Sequence, residues 1–256
     1  MKKITIDYIK GLKKATPPFV SLTAYDYISS QILDQANIPL ILVGDSASMM
    51  IYGYDTTIPI TMDEMLLLVK AVSRGANNAL VVADMPFLSY QPSNEEAIKN
   101  AGRLIKEGGA GAIKLEGGVH MFEIIKRLVD IGIPVLGHVG LTPQSYHQLS
   151  GYKIQGKSDQ DATKIIEDSL AVQEAGAFGI VLECVPESLA TKITKKLDIP
   201  TIGIGSGNTC DGQIQVLHDV LGLHKAPAPK HAIQCGNLYN DILTMIKKYK
   251  AMVEKL

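Results

Sequence analysis

Short apolar runs, each followed by a segment of helix length, constrain this chain more than any single motif. The runs fall at residues 19–22, 39–43, 79–83, 112–115, 134–137, 179–182 and 201–204. They are continuously apolar rather than alternating, the pattern of parallel strands covered by helices. Apolar residues three and four apart predict helices over 63–74, 95–107, 122–131, 159–175 and 186–197. Glycine ends several helices just before a strand, as in Gly108-Gly109-Ala110-Gly111, Ile131-Gly132-Ile133-Pro134 and Ala175-Gly176-Ala177-Phe178. This regular β-then-α order over 256 residues predicts an α/β chain of parallel strands covered by helices, with seven strands visible, and fits one parallel, eight-stranded (β/α)8 TIM barrel spanning 1–256 if an eighth strand completes it. The eighth strand has to come from 211–223, where Ile214-Gln215-Val216-Leu217 reads as either a strand or a helical turn. A doubly wound open sheet is the alternative, weakened because no Gly-x-Gly-x-x-Gly follows the first or second run. Residues of about 237–255 are predicted as an amphipathic tail helix, and the stretch around Pro227 and Pro229 as a linker on the barrel surface.

Apolar residues make up 46% of the chain, enough for a full core. Lys plus Arg number 25 against 26 Asp plus Glu, so no long-range field recruits polyanions and nucleic acid is not expected as a partner. The first ten residues carry no apolar stretch ending in small residues, and the longest apolar runs are of strand length. Neither a signal peptide nor a membrane anchor is expected, and the location expected is cytoplasmic. The three cysteines, Cys184, Cys210 and Cys235, are odd in number and widely spaced. They are expected to be unpaired thiols, with Cys184 a small buried filler rather than a nucleophile.

The polar residues are informative through their position. Val43-Gly44-Asp45-Ser46 ends the second run, Ala83-Asp84-Met85-Pro86 the third, Lys114-Leu115-Glu116-Gly117 the fourth, Gly137-His138 the fifth and Leu182-Glu183 the sixth. Barrel enzymes build their sites from the carboxyl ends of their strands, so five such coincidences favour catalysis over stability. Any one of these carboxylates is explained as well by a helix cap or a turn. Asp45, Asp84 and Glu116 aimed into one pocket would repel unless paired, which favours a shared cation. Oxygen-only ligands suit a hard ion, here Mg2+. Lys114 and Glu116, two apart, are expected on the same side of one strand, facing the barrel interior, with a structural ion pair as the bland alternative. His138 reads either as a satisfied core imidazole or as a site residue. Glu183, on a strand apart from the three proposed ligands, is the best free base. The glycines of Ile202-Gly203-Ile204-Gly205-Ser206-Gly207 fit a phosphate site or a tight strand exit equally well.

Several ordered blocks together resemble the ketopantoate hydroxymethyltransferase family: Ser21-Leu22-Thr23-Ala24-Tyr25-Asp26-Tyr27, Leu42-Val43-Gly44-Asp45-Ser46, Val81-Val82-Ala83-Asp84-Met85-Pro86-Phe87, Gly140-Leu141-Thr142-Pro143-Gln144-Ser145, Glu174-Ala175-Gly176-Ala177-Phe178 and Asp211-Gly212-Gln213. The resemblance spans about 21–223. It implies a homo-oligomeric barrel, usually a decamer, acting in the first step of pantothenate and coenzyme A synthesis. It also implies transfer of a one-carbon unit from 5,10-methylenetetrahydrofolate to 3-methyl-2-oxobutanoate, giving 2-dehydropantoate. By resemblance Asp45, Asp84 and Glu116 hold Mg2+, Asp45, Ser46, Asp84 and Lys114 contact the keto acid, and Glu183 accepts the proton. His138 joins the substrate contacts as the less specific member. The chain departs from the family with Ala47-Ser48-Met49 where Leu-Gly-Met is usual, with Leu68 at a common histidine position, and with Asn37 and Pro39 replacing a glycine and an aspartate. Ser48 therefore adds a side chain where the family keeps bare backbone. The competing function is a Mg2+-dependent α-keto acid carbon–carbon lyase of the phosphoenolpyruvate mutase and isocitrate lyase kind, which lacks its catalytic cysteine loop here. A non-catalytic metabolite-binding barrel is the third reading.

Overall fold

The computed structural model describes residues 3–14, 16–225 and 228–256; Pro227, part of the expected linker, lies outside them. Eight strands close into a barrel in chain order: β1 Phe19–Thr23, β2 Leu40–Val43, β3 Leu80–Asp84, β4 Ala112–Lys114, β5 Val135–Gly140, β6 Gly179–Glu183, β7 Thr201–Ile204 and β8 Gly212–Gln215. The pairings from β1 through β8 are parallel. The uncertain stretch resolves into both expected forms: β8 ends at Gln215, and a short helix, Leu217–Leu221, follows directly.

A core cluster runs through the strands at a spacing of two: Leu40 and Leu42, Leu80 and Val82, then Ala112, Leu136, Val181, Ile202 and Ile214. Because successive side chains alternate across a strand, these share the inner face of the barrel. Ile9, from the first helix Ile6–Lys10, joins the same cluster and is fully buried. Sequence periodicity does not show that helix, because it is only five residues long.

The helices Met62–Gly75, Asn94–Lys106, Phe122–Asp130, Asp159–Glu174 and Glu187–Lys196 lie where periodicity predicts. Thr61, Ser93 and Ser158 start three of them by accepting a hydrogen bond from an N–H of the first turn. One further helix, Tyr27–Gln35, escapes the apolar pattern. Its Ile28 and Ile32 are 67% and 60% exposed, while its buried positions are Ser30, Leu33 and Asp34. Asn37 follows with φ 59°, a left-handed conformation that glycine adopts freely and asparagine tolerates, so the replacement of the family's glycine leaves the helix exit intact.

The chain divides into two compact units, Met1–Ile214 and Gln215–Leu256. In the second, the helix Leu217–Leu221 ends at Gly222 in a left-handed conformation, and the backbone N–H of Cys235 donates to the Val220 carbonyl at 2.7 Å. The helix Leu238–Val253 buries none of its side chains. Among the described residues no helix is long and apolar enough to cross a membrane.

Candidate active site

The inner-face spacing carries straight on into the polar residues. Two positions beyond Val82 comes Asp84, beyond Ala112 comes Lys114, beyond Leu136 comes His138, and beyond Val181 comes Glu183. Glu116 is two past Lys114, but β4 stops at Lys114, so Glu116 lies beyond the strand rather than on it. The backbone bridge between Gly117 and His138 extends the β4–β5 contact past that point. Asp45, one residue off the inner face, belongs to the turn after β2, and its own N–H donates to Asp84 Oδ2 at 3.0 Å. Asp45, Asp84, Lys114, Glu116 and His138 are all buried.

Asp84 pairs with Lys114 in the β3–β4 register, and Lys114 Nζ donates to Asp84 Oδ1. Burial alone pulls the lysine pKa down, but Asp84, Asp45 and Glu116 outweigh it and raise it, keeping the ammonium charged. Burial first, then the charges of Asp84 and Glu116, push the Asp45 carboxyl well above the usual carboxylate range. His138 lies between two carboxylates, Nδ1 3.5 Å from Glu116 Oε1 and Nε2 3.2 Å from Glu183 Oε2. Neither approach has hydrogen-bond geometry, and both ring nitrogens and Glu116 Oε1 are left without a hydrogen-bond partner. Burial and Lys114 push the imidazole pKa down, while Glu116 and Glu183 more than offset this and bring it up to about 9. The attraction at this range is one of charge more than of a directed bond. Glu183 has the most open carboxylate, its side chain 16% exposed against 3% for Glu116.

Ser46 is half-buried and lies 2.8 Å from the hydroxyl of Tyr25, a residue the positional reading passed over. Gln144 and Tyr90 were also missed. The Gln144 side chain donates to Asp45 Oδ2 at 3.0 Å, its backbone N–H donates to Glu116 Oε2 at 3.0 Å, and Tyr90 donates to its Oε1 at 2.8 Å. Neutral loop residues carry no strand-end signal; only the block 140–145 singled out Gln144. Ser48, the departure beside the site, is fully buried and spends its hydroxyl on the Thr56 carbonyl at 2.7 Å. Its extra side chain is thus absorbed by the adjoining loop.

Cys184 follows Glu183 with φ 46°, and burial and the glutamate push its thiol up to about 12, so it lacks the thiolate a nucleophile needs. Cys210 and Cys235 are free thiols as well. At the glycine-rich exit of β7, Gly205 and Gly207 have φ 63° and 75°, and a Cβ on Gly207 would meet the Glu187 side chain at 2.4 Å. Close approach accounts for the glycines there.

Four carboxylates, Asp45, Asp84, Glu116 and Glu183, thus share one lysine and one imidazole. Among the described residues no three His, Cys, Asp or Glu side chains are already arranged to hold a metal ion. The donor set still suits a hard cation. It is oxygen-rich and short of positive charge, and Glu116 Oε1 is buried without a hydrogen-bond partner.

Phosphoenolpyruvate phosphomutase from Streptomyces platensis subsp. rosaceus is similar in structure, with TM-score 0.65 and 11% identity over 98% of this chain and 88% of that one. Phosphonopyruvate hydrolase, solved with oxalate and Mg2+, gives TM-score 0.64 at 12% identity, covering 100% of this chain and 88% of the other. At such identities the likeness shows the fold alone. Sequence relatives are far nearer. The 3-methyl-2-oxobutanoate hydroxymethyltransferase of Syntrophus aciditrophicus (strain SB) is 52% identical, over 97% of this chain and 91% of its own length. That of Carboxydothermus hydrogenoformans (strain ATCC BAA-161 / DSM 6008 / Z-2901) is 51% identical, over 100% and 92%. The family model for ketopantoate hydroxymethyltransferase matches residues 3–256. With that model matched across nearly the whole chain, and relatives sharing half its residues, this chain is an enzyme that belongs to the ketopantoate hydroxymethyltransferase family.

Proposed function

We propose that the enzyme moves a one-carbon unit from 5,10-methylenetetrahydrofolate to 3-methyl-2-oxobutanoate, giving 2-dehydropantoate and tetrahydrofolate. In this reading Glu183 is the base and Asp45, Asp84 and Glu116 hold Mg2+. The observation that carries it is the charge imbalance at the carboxyl ends of the strands: four carboxylates, all but Glu183 deeply buried, against one lysine and one imidazole. Such a cluster either protonates a member, as the raised Asp45 pKa expresses, or takes up a cation. That a barrel of the same fold was solved with oxalate and Mg2+ supports the second choice. When bound, the ion supplies positive charge that polarises the keto carbonyl and makes the neighbouring carbon acid ionisable.

The protein's own groups do the rest. Ser46, steadied by Tyr25, together with Asp45, Asp84 and Lys114 contacts the keto acid. Lys114, fixed on Asp84, places a permanent positive charge where negative charge grows on the substrate oxygen. Glu183 accepts the proton from C3. His138 lies against Glu183 and Glu116 and holds the base toward the substrate. The resulting enolate carbon bonds to the folate methylene as one of its two carbon–nitrogen bonds breaks, and water then displaces the second folate nitrogen from that carbon. The water oxygen becomes the product hydroxyl, while the proton from C3 and one from water end on the two folate nitrogens. The site works in the cytoplasm, in one catalytic domain, 1–256, that assembles as a homo-oligomer, a decamer by family. Exposed Tyr27, Ile28 and Ile32 on one helix and Leu67 on its packed neighbour supply apolar surface for such assembly.

NMR of deuterium exchange at C3 of 3-methyl-2-oxobutanoate tests the reading, with Mg2+, with EDTA and with Glu183→Gln, followed by addition of the folate donor. Exchange that needs both the metal and Glu183, then conversion to 2-dehydropantoate, is expected. Exchange that persists in EDTA or in Glu183→Gln would overturn the assignment.

A further inference from the structure

Gln144 hydrogen-bonds both Asp45 and Glu116, and it does so with two different parts of itself. It lies in the single 3-10 turn Pro143–Ser145 that follows β5, and it is buried. Its backbone N–H, free because the turn has only begun, donates to Glu116 Oε2 at 3.0 Å. Its side-chain amide donates to Asp45 Oδ2 at 3.0 Å and to the Met85 carbonyl at 2.9 Å. On the other side of the amide, Oε1 accepts from the Tyr90 hydroxyl at 2.8 Å and from Gln91 Nε2 at 3.1 Å. These partners fix the amide in one sense, since turning it over would put its oxygen against a carboxylate and a carbonyl and its NH2 against a second NH2. The carbonyl of Gln144 therefore points away from the carboxylates and is no ligand itself.

Tyr90 completes the connection. Its hydroxyl accepts from the Glu116 N–H at 3.1 Å and gives its proton to Gln144 Oε1, and the ring is almost fully buried. A continuous path of donors thus runs from the Glu116 backbone through Tyr90 and Gln144 to the Asp45 carboxylate. We propose that Gln144 is a positioning residue, oriented by Tyr90, that holds Asp45 and Glu116 at a fixed separation and rotation for a divalent cation. The inference rests on the metal reading above and extends it to two neutral residues. Such partners outside the ligand set orient ligating carboxylates, and losing one weakens metal binding by about 10- to 100-fold.

Mn2+ binding to the purified enzyme, followed by electron paramagnetic resonance without substrate, tests it. Gln144→Met keeps the side-chain length and the backbone N–H to Glu116 but removes the donor to Asp45. The expected result is Mn2+ affinity weakened by about 10- to 100-fold in protein that still melts cooperatively in EDTA, at a lower temperature because Tyr90, Gln91 and the Met85 carbonyl each lose a partner. Tyr90→Phe should weaken binding by about tenfold, and the double variant should bind no worse than Gln144→Met alone, because Tyr90 acts through Gln144. A folded Gln144→Met with wild-type Mn2+ affinity, whatever its melting temperature, overturns the proposal and leaves the metal reading standing. If Gln144→Met does not fold, Tyr90→Phe decides: unchanged affinity there overturns the proposal. Wild-type enzyme that binds no Mn2+ overturns the metal reading and the role of Gln144 together.

Discussion

Asp211 and Asp45 are both buried carboxylates at the ends of barrel strands, and they are treated in opposite ways. Asp211 sits just before β8, at its amino end. Its Oδ1 accepts the Lys14 N–H at 2.8 Å, and its Oδ2 accepts Lys13 Nζ at 3.0 Å and both the N–H and the hydroxyl of Thr201, at 2.8 and 3.0 Å. Asp34 is handled likewise, by the N–H groups of Asn78 and Ala79 and the Asn78 amide. Asp45, just after β2 at its carboxyl end, receives one side-chain donor and faces two further carboxylates. One end of the barrel saturates each charge with its own donors and becomes a clasp. The other crowds carboxylates around one lysine and leaves a demand for positive charge that a ligand can meet.

Four experiments press on this contrast. The largest effect belongs to Glu183→Gln, which should lower turnover by about 10²- to 10⁴-fold while costing only about 1 kcal/mol of stability, the part of the His138 attraction that Glu183 supplies. Product formation and urea unfolding report the two quantities separately, and equal losses in both would erase the distinction between the two ends. Asp211→Ala should do the reverse, costing about 3–5 kcal/mol because Lys13 and the Thr201 donors lose their acceptor, with turnover per folded molecule preserved. A matching fall in turnover would show that the clasp reaches the chemistry.

The third experiment uses pH. His138 is raised to about 9, so its protonated form stabilises the fold. That contribution is fully present below about pH 6.5, where the unfolded imidazole is also protonated, and is lost as pH rises through the folded value. It amounts to on the order of 3 kcal/mol between those limits. Metal-free enzyme unfolded in urea between pH 6 and 10 should lose this much more stability than His138→Gln, and parallel profiles would place the imidazole outside the charge cluster. The smallest effect is expected at Thr61, which caps the helix Met62–Gly75 in a reciprocal arrangement with Glu64. Thr61→Ala should cost about 1 kcal/mol in thermal unfolding, as solvent takes over much of the lost bonding.

The charged part of the site was legible because a strand carries its side chains at a spacing of two. Once Val82, Ala112, Leu136 and Val181 are inner-face residues, Asp84, Lys114, His138 and Glu183 continue the same rows. Tyr25, Tyr90 and Gln144 follow no such rule. They are neutral, they lie on turns and loops, and their importance comes from partners such as Ser46, Glu116 and Asp45, which are 21, 26 and 99 residues away. The helix Tyr27–Gln35 was hidden for another reason: its apolar pair, Ile28 and Ile32, faces outward.

Local periodicity and glycine punctuation were enough to specify parallel strands alternating with helices, because backbone hydrogen bonding and burial of one face act over a few residues at a time. Which charges would meet, and how far each would be neutralised, was settled only by closing eight strands into a ring. Closure brings the ends of β2 to β6 around one space, where burial makes every charge depend on its neighbours. The alternation of a strand can be read along the chain. The sharing of one lysine among four carboxylates cannot, because Coulomb interactions follow distance in space and take no account of distance in sequence.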